Sequence, residues 1–375
     1  MNDDQTRDPG HERHMARALA LAERGRGRTS PNPMVGAVIV DADGVVVGRG
    51  AHEAAGGPHA EVVALADAGD RARGATLYCT LEPCSHTGRT GPCAPRVVEA
   101  GVRRAVIAIE DPNPMVAGRG LGYLKDRGVE VVLGVLRDEA ERLNRPFFTF
   151  ISRQRPFVTL KAAVSLDGMV AARKGARTAI TGAEANSLTQ VGRAETDAIA
   201  IGSETAIVDD PLLTARGVYR DRPLTRVIFD RRLRTPARAR IFSTLDAGPV
   251  VIVTATGVDR SRADELSRAG AQIEFVEMPN AGVADGAGFL AAALSALARR
   301  NIMAMTLEGG PTLQQAFWRA GFVDRVELLV SPHAIGTNGV EWGGLPGGSV
   351  AFLDELSASP VGADVRIEGY VHRAG

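Results

Sequence analysis

The stretch His59-Ala60-Glu61, continued by Leu77-Tyr78-Cys79-Thr80-Leu81-Glu82-Pro83-Cys84 and then by Cys93, decides how this chain is read. One imidazole and two thiolates are three ligands that suit zinc. A catalytic zinc keeps its fourth position for water, whereas a structural zinc closes all four with protein. Glu61 is not needed as a ligand. Its carboxylate is what a metal-activated water needs beside it, to take a proton and pass it on. A lone His-x-Glu is an ordinary surface pair, and a lone cysteine pair is ordinarily structural. In this order and spacing, His59, Cys84 and Cys93 read as the metal ligands and Glu61 as the catalytic proton carrier.

Local patterning places these residues. Gly56-Gly57-Pro58 brings His59 to the start of a helix that continues to Ala66, so His59 and Glu61 face one pocket. Ala75 to Leu81 reads as a strand with Cys79 as a small buried residue. Pro83 ends it and is expected to set Cys84 at the next helix start, where a thiolate is favoured. Upstream, residues 1–10 read as a disordered leader. Met15, Ala18, Leu19 and Ala22 recur at helical spacing between His11 and Glu23. Gly25 and Gly27 stop that helix, and Thr29-Ser30-Pro31-Asn32-Pro33 is a rigid loop. Val35–Val40 and Val45–Gly50 are strands joined by an Asp43-Gly44 turn. Downstream come a helix over Ala94–Ala100, a strand over Ala105–Ile109, a helix over Leu121–Asp126 and a strand over Val129–Gly134. The order αββαβαβα implies a three-layer α/β/α sandwich on a mixed sheet.

Bulk properties narrow the class. The chain has 375 residues, 45% hydrophobic and 23% charged, as in globular domains, and its length favours two domains. Net charge is +0, so the basic stripe of a nucleic-acid binder is not expected. The arginines at 231, 232, 234, 238 and 240 read as a solvated loop. Three cysteines make no disulfide framework and point to a reducing compartment. With a polar, acidic start and no long apolar run, the expectation is a cytoplasmic protein with no membrane association.

A short helix over Asp138–Asn144 precedes a boundary near 150. Pro156 to Gly168 reads as a buried strand ending in a turn. Helices are expected over 183–193, 290–299 and 313–320, and strands over 198–202, 226–229, 250–254, 272–277 and 303–307. Glu308-Gly309-Gly310-Pro311-Thr312 then joins a strand to a helix start, a geometry that turns free N–H groups toward an anion. No Gly-x-Gly-x-x-Gly follows an early strand, so this half is not read as a Rossmann domain.

Zinc deaminases carry His-x-Glu followed by Pro-Cys-x-x-Cys. Here eight residues, Ser85 to Pro92, separate the cysteines. That insert, Ser85-His86-Thr87-Gly88-Arg89-Thr90-Gly91-Pro92, resembles the bifunctional riboflavin-biosynthesis deaminase–reductase family, and the likeness covers nearly the whole chain. The resemblance implies an α/β protein: a cytidine-deaminase-like α/β/α sandwich over residues 1–150 and a dihydrofolate-reductase-like α/β domain over 151–375. It implies one zinc per deaminase domain and NADPH in the second domain. The small-molecule substrate would be 2,5-diamino-6-(5-phosphoribosylamino)pyrimidin-4(3H)-one, deaminated first and then reduced from ribosyl to ribityl. A homo-oligomer is also expected.

The resemblance assigns residues as well. Asn32, His52, His86 and Arg89 would line the deaminase substrate pocket. Ala163, Ala179, Thr205, Asp209, Arg231 and the run Gly310, Pro311, Thr312, Leu313, Gln314, Gln315, Ala316 would bind the nicotinamide cofactor. Arg177, Arg193, Leu213, Arg216 and Glu308 would hold the reductase substrate, the arginines suiting its phosphate. Arg231, just past a strand, would meet the 2′-phosphate that separates NADPH from NADH. One stretch departs: where the family often has Ser-x-Trp-Ile-Thr, this chain has Arg177-Thr178-Ala179-Ile180-Thr181. That loss motivates an alternative in which the second half has ceased to reduce.

Overall fold

Gly36–Val40 is buried at all five positions. A strand reads as continuously apolar when helices cover both sheet faces, and two glycine-lined contacts show that arrangement. A Cβ on Gly36 would lie 1.9 Å from Ala18 O, in the first helix. On the paired strand, a Cβ on Gly50 would lie 2.1 Å from Ala60 O, in the helix that follows His59. Gly50 sits opposite Ala37, the neighbour of Gly36, so the two helices lie on opposite faces.

A computed structural model describes residues 8–85, 91–114, 116–277, 286–343 and 351–373. The chain divides into two units, Met1–Gln154 and Arg155–Gly375. The first unit runs α1 (Pro9–Ala22), β1 (Gly36–Val40), β2 (Val46–Ala51), α2 (Ala60–Ala68), β3 (Thr76–Cys79), α3 (Cys93–Glu99), β4 (Arg104–Ile107), α4 (Arg119–Lys125), β5 (Glu130–Leu133), α5 (Arg137–Leu143) and α6 (Arg145–Arg153). Its sheet has the order β2-β1-β3-β4-β5. The pairs at β1 are antiparallel, and β3, β4 and β5 run parallel. This is the mixed three-layer sandwich expected from the sequence. One expectation fails at the N-terminus. Helix α1 starts at Pro9, inside the supposed leader, because Asp8 caps it by accepting from Gly10 N at 2.7 Å and Pro9 fits the first turn. The division between the units falls at Gln154, the C-cap of α6, close to the boundary expected near 150.

The second unit runs β6 (Phe157–Ser165), β7 (Met169–Ala171), α7 (Ala183–Glu195), β8 (Ala198–Gly202), α8 (Ser203–Val208), β9 (Thr225–Phe229), β10 (Val250–Ala255), α9 (Arg260–Arg268), β11 (Ala271–Val276), α10 (Ala287–Arg299), β12 (Ala304–Leu307), α11 (Pro311–Arg319), β13 (Arg325–Ser331), β14 (Val340–Glu341), β15 (Ala351–Val361) and β16 (Asp364–Arg373). The main sheet has nine strands in the order β11-β10-β9-β8-β12-β6-β13-β16-β15. It is parallel from β11 to β13 and closes with the antiparallel β16 and β15. Side chains alternate between two cores. Ala198 and Ala200 pack with Leu290, Leu294 and Phe317, whereas Ile199 and Ile201 pack with Ala206, Ala263 and Leu266. Helices therefore cover both faces here as well. Among the described residues no helix is long and apolar enough to cross a membrane.

Candidate active sites

In the first unit His59 is the N-cap of α2, with extended backbone, and Glu61 lies in the first turn. The His59 Nδ1 atom is 3.2 Å from Cys93 Sγ and 3.6 Å from Cys84 Sγ. The three ligand atoms all lie within 4.8 Å of one another. Ligands about 2.0 and 2.3 Å from a tetrahedral zinc are separated by roughly 3.5 Å, so this donor set fits the ion in chemistry and in size.

Cys84 does not begin a helix. It lies in the segment after β3, and the helix begins at Cys93, with Pro92 as its N-cap. The N–H groups of Cys93 and Ala94 both donate to Cys84 O at 3.0 Å, and the Cys93 N–H also lies 3.4 Å from Cys84 Sγ. The insert is the reason. In Cys-x-x-Cys both cysteines share one helical turn; with eight residues between them only the second can open the helix. His86 and Arg89 lie outside the described residues.

Protons balance the charge in this cluster: a Cys84 thiolate lies beside His59, and Cys93 and Glu61 are shifted toward their neutral forms. A hydrogen bond from Cys93 and the neighbouring His59 push the Cys84 thiol down to about 4. Cys93 moves the other way, raised by its bond to Cys84, by burial and by Glu61. Burial raises Glu61 too. His59 is raised by its hydrogen bond to Cys84. A divalent ion would take the place of those protons, since both cysteines ligate a metal as thiolates.

His52 and Asn32 stand beside this cluster. The rings of His52 and His59 meet edge-on with centroids 5.6 Å apart. His52 Nδ1 is 3.0 Å from Pro58 O, and its Nε2 is 3.3 Å from Asn32 Nδ2. A carbonyl only accepts, so Nδ1 carries the proton and Nε2 accepts from Asn32. Sequence reasoning missed Glu82. Its buried carboxylate accepts from the N–H groups of Gly118, Gly120, Leu121 and Asp111 at 3.0, 2.8, 3.2 and 3.3 Å. It thereby pins the chain two residues before Cys84. A charged residue directly after a buried strand was the available signal.

In the second unit strand order decides the site. β9, β8 and β12 are parallel neighbours, so their C-terminal ends line one edge. Arg231, Thr205 and Glu308 follow those ends. Arg193 and Glu308, both assigned to substrate, form one bidentate ion pair, with Nε–Oε1 at 3.0 Å and Nη2–Oε2 at 2.7 Å. Burial would raise Glu308, but the charges of Arg193 and Lys161 outweigh it and hold the carboxyl below its ordinary value. Arg193 also donates to Thr214 O at 3.0 Å, and Arg216 lies 3.4 Å from Thr214 Oγ1. Leu213, buried, takes a left-handed backbone with φ 53°. The structure thus links Glu308, Arg193 and Arg216 through Thr214, while Leu213, the residue before it, packs its side chain in the core. Arg177 is exposed, and its charge reaches the half-buried Asp209.

The turn after β12 offers fewer free donors than expected. Pro311 has no N–H, and Gly310 N donates to Thr205 Oγ1 at 3.2 Å. Gln314 is buried and bridges Lys161 O to the Trp342 indole, while Leu313 and Ala316 pack on the core. Gly310, Thr312 and Thr205 remain at the helix start, with Gln315 turned to Trp342 O. Ala163 is half-buried in β6, Ala179 is exposed, and Arg231 is exposed with its arginine neighbours 232 and 234.

Comparison with known proteins fits this geometry. Residues 9–109 match the cytidine and deoxycytidylate deaminase zinc-binding region, and residues 156–365 match the RibD C-terminal domain. The riboflavin biosynthesis protein RibD of Escherichia coli is 41% identical over 353 residues, covering 93% of this chain and 94% of the relative. That of Aquifex aeolicus is 41% identical over 323 residues, covering 86% and 87%. The chain belongs to the RibD family. The structure of Acinetobacter baumannii RibD superposes with a TM-score of 0.84 at 35% identity, covering 97% of this chain and 99% of that one. A Thermotoga maritima structure, described as a diaminohydroxyphosphoribosylaminopyrimidine deaminase and 5-amino-6-(5-phosphoribosylamino)uracil reductase, superposes with a TM-score of 0.81 at 30% identity over 97% and 99%. As a RibD protein the chain is a bifunctional riboflavin-biosynthesis enzyme with a zinc-dependent deaminase domain and an NADPH-dependent reductase domain. The reading in which the second half has lost reduction is not the one these matches favour.

Proposed function

We propose that the first unit deaminates 2,5-diamino-6-(5-phosphoribosylamino)pyrimidin-4(3H)-one by hydrolysis, and that the second reduces the ribosyl group of the product to ribityl. His59, Cys84 and Cys93 hold zinc, which when bound supplies the Lewis acid that activates water. Glu61 takes a proton from the attacking water and delivers it to the amine that leaves as ammonia. Its burial in the first turn of α2, two residues after His59, is the observation that carries this role. Burial keeps bulk water from competing for that proton. Asn32 and His52, with His86 and Arg89, bind and orient the pyrimidine and its phosphoribosyl arm.

In the second unit Thr205, Asp209, Arg231 and the start of α11 bind NADPH, the hydride donor. Arg177, Arg193, Leu213, Arg216 and Glu308 hold the sugar and its phosphate. Hydride transfer then rests on orientation. Neutral net charge supports a small-molecule substrate over nucleic acid. The deciding experiment is Glu61→Gln. Deamination should fall by about 10²–10⁴-fold, with zinc content and reduction of supplied deaminated substrate unchanged. Near-normal deamination would remove Glu61 from the proton transfer.

A further inference from the structure

We propose that Asn144 positions the substrate-reading loop of the deaminase, acting through the backbone of Met34 on Asn32; the inference rests on the assignment of Asn32 to the substrate pocket. In Pro31-Asn32-Pro33-Met34 the prolines contribute no N–H, so only Asn32 and Met34 can be tied down through their amides. Asn32 N donates to Thr29 O at 2.8 Å. Met34 N donates to Asn144 Oδ1 at 2.8 Å, and Asn144 Nδ2 returns a bond to Met34 O at 2.8 Å. The side-chain amide thus treats Met34 as a neighbouring strand would, one residue before Val35 O takes up the N–H of His52 at 2.9 Å.

Asn144 is itself immobilised. It is 2% exposed, joins α5 to α6, donates its own N–H to Glu141 O at 3.1 Å and accepts from Phe148 N at 2.9 Å. An amide held at both ends can place Met34 with little freedom. Asn32, two residues earlier, reaches His52 Nε2 with its own amide N–H, which leaves its Oδ1 as the group to read a ring edge. The loop is therefore closed on itself at Thr29 and tied to two distant parts of the chain, at Asn144 and at His52. The last two helices of the first unit reach the pocket through this contact, 110 residues away in sequence.

The test is steady-state deamination by Asn32→Ala, Asn144→Ala, Asn144→Asp and the Asn32→Ala/Asn144→Ala double variant, with zinc content and reductase activity measured on the same preparations. Asn144→Ala removes both bonds, and Asn144→Asp sets a second carboxylate oxygen against Met34 O. Each should raise KM about tenfold with kcat within about twofold and zinc retained. In the Asn32→Ala background, Asn144→Ala should add less than about twofold, because it acts through a group already gone. An unchanged KM in Asn32→Ala means that Asn32 does not read the substrate. A raised KM there, with Asn144→Ala adding its full factor regardless, overturns the positioning role. Amide hydrogen exchange on the wild-type chain decides the matter even where a variant fails to fold. The Met34 amide should be strongly protected, and exchange at the rate of an open loop would refute the clamp.

Discussion

The two active sites are built from opposite materials. In the first unit the site is a compact set of soft donors, His59, Cys84 and Cys93, drawn from one stretch and completed by a buried carboxylate. Its donors hold protons that a metal would displace. In the second unit the site is salt-bridged in advance: Glu308 and Arg193, each about one-tenth exposed, already neutralise each other. The first site exchanges protons for a metal. The second meets its charge within the protein. The sharpest way to break this contrast is to take the metal away. A chelator strong enough to strip zinc should abolish deamination and lower the unfolding temperature of the first unit, while NADPH oxidation with deaminated substrate continues. Joint loss of both activities on stripping, with both restored by zinc, would show that the sites are not separable in this way.

Cutting the ion pair gives the next largest effect. Arg193→Ala leaves Glu308 buried and unpaired, which should cost the second unit about 3–5 kcal/mol and end reduction. Deamination should persist. Arg193→Lys keeps the charge but not the two parallel bonds that a guanidinium makes, so it should recover only part of the stability. Differential scanning calorimetry of the two variants against wild type checks both statements. A loss under about 1 kcal/mol for Arg193→Ala would mean that the pair is solvated and weak.

The same contrast explains what could be read from the sequence. Zinc fixes the type of its ligands, so His59-Ala60-Glu61, Cys84 and Cys93 announce themselves, and the strands around them follow from apolar runs such as Gly36–Val40. The Arg193–Glu308 pair joins residues 115 apart and no residue type demands it, so only the fold reveals that two assigned substrate contacts hold each other. Asn144 stayed hidden for a similar reason: an asparagine at the end of a short helix looks like a helix stop, and its 110-residue reach to Met34 needs coordinates. The helix misplaced at Cys84 was a counting problem, since Pro83 ends the strand but the insert postpones the next helix to Cys93.

A packing substitution tests how closely the metal ligands depend on the sheet. A Cβ at Gly50 would sit 2.1 Å from Ala60 O and 2.5 Å from Ala64 N, against the helix that His59 caps. Gly50→Ala should therefore shift α2, destabilise the first unit by about 1–3 kcal/mol and weaken zinc retention against a competing chelator. Gly44, at φ 79° with no atom near a built Cβ, is the control: alanine there strains a turn without touching the helix. Equal zinc retention by the two variants would mean that α2 is not what seats His59.

The smallest expected effect is a difference in acid sensitivity. In the first unit His11 and His14 pack around Tyr78, with His11 Nδ1 2.9 Å from the phenol oxygen and His14 Nδ1 buried without a hydrogen-bond partner. Burial lowers both from 6.5, the nearby charges being Asp8, Arg104 and Glu130 for His11 and Arg13 and Arg17 for His14. Because the folded values lie below the unfolded one, their stabilisation is complete above pH 6.5 and is lost as pH falls, when the unfolded chain takes up protons that the folded chain refuses. In the second unit Glu308 is held below 4.5, so its stabilisation survives until pH drops under that value. Asp209, raised by burial, favours the folded state on acidification. Between pH 6.5 and 4.5 the first unit should therefore lose unfolding temperature faster than the second. Replacing His11 and His14 together with glutamine should flatten that slope in the zinc-loaded enzyme, and a slope that survives the replacement would place the acid-sensitive group elsewhere in the first unit.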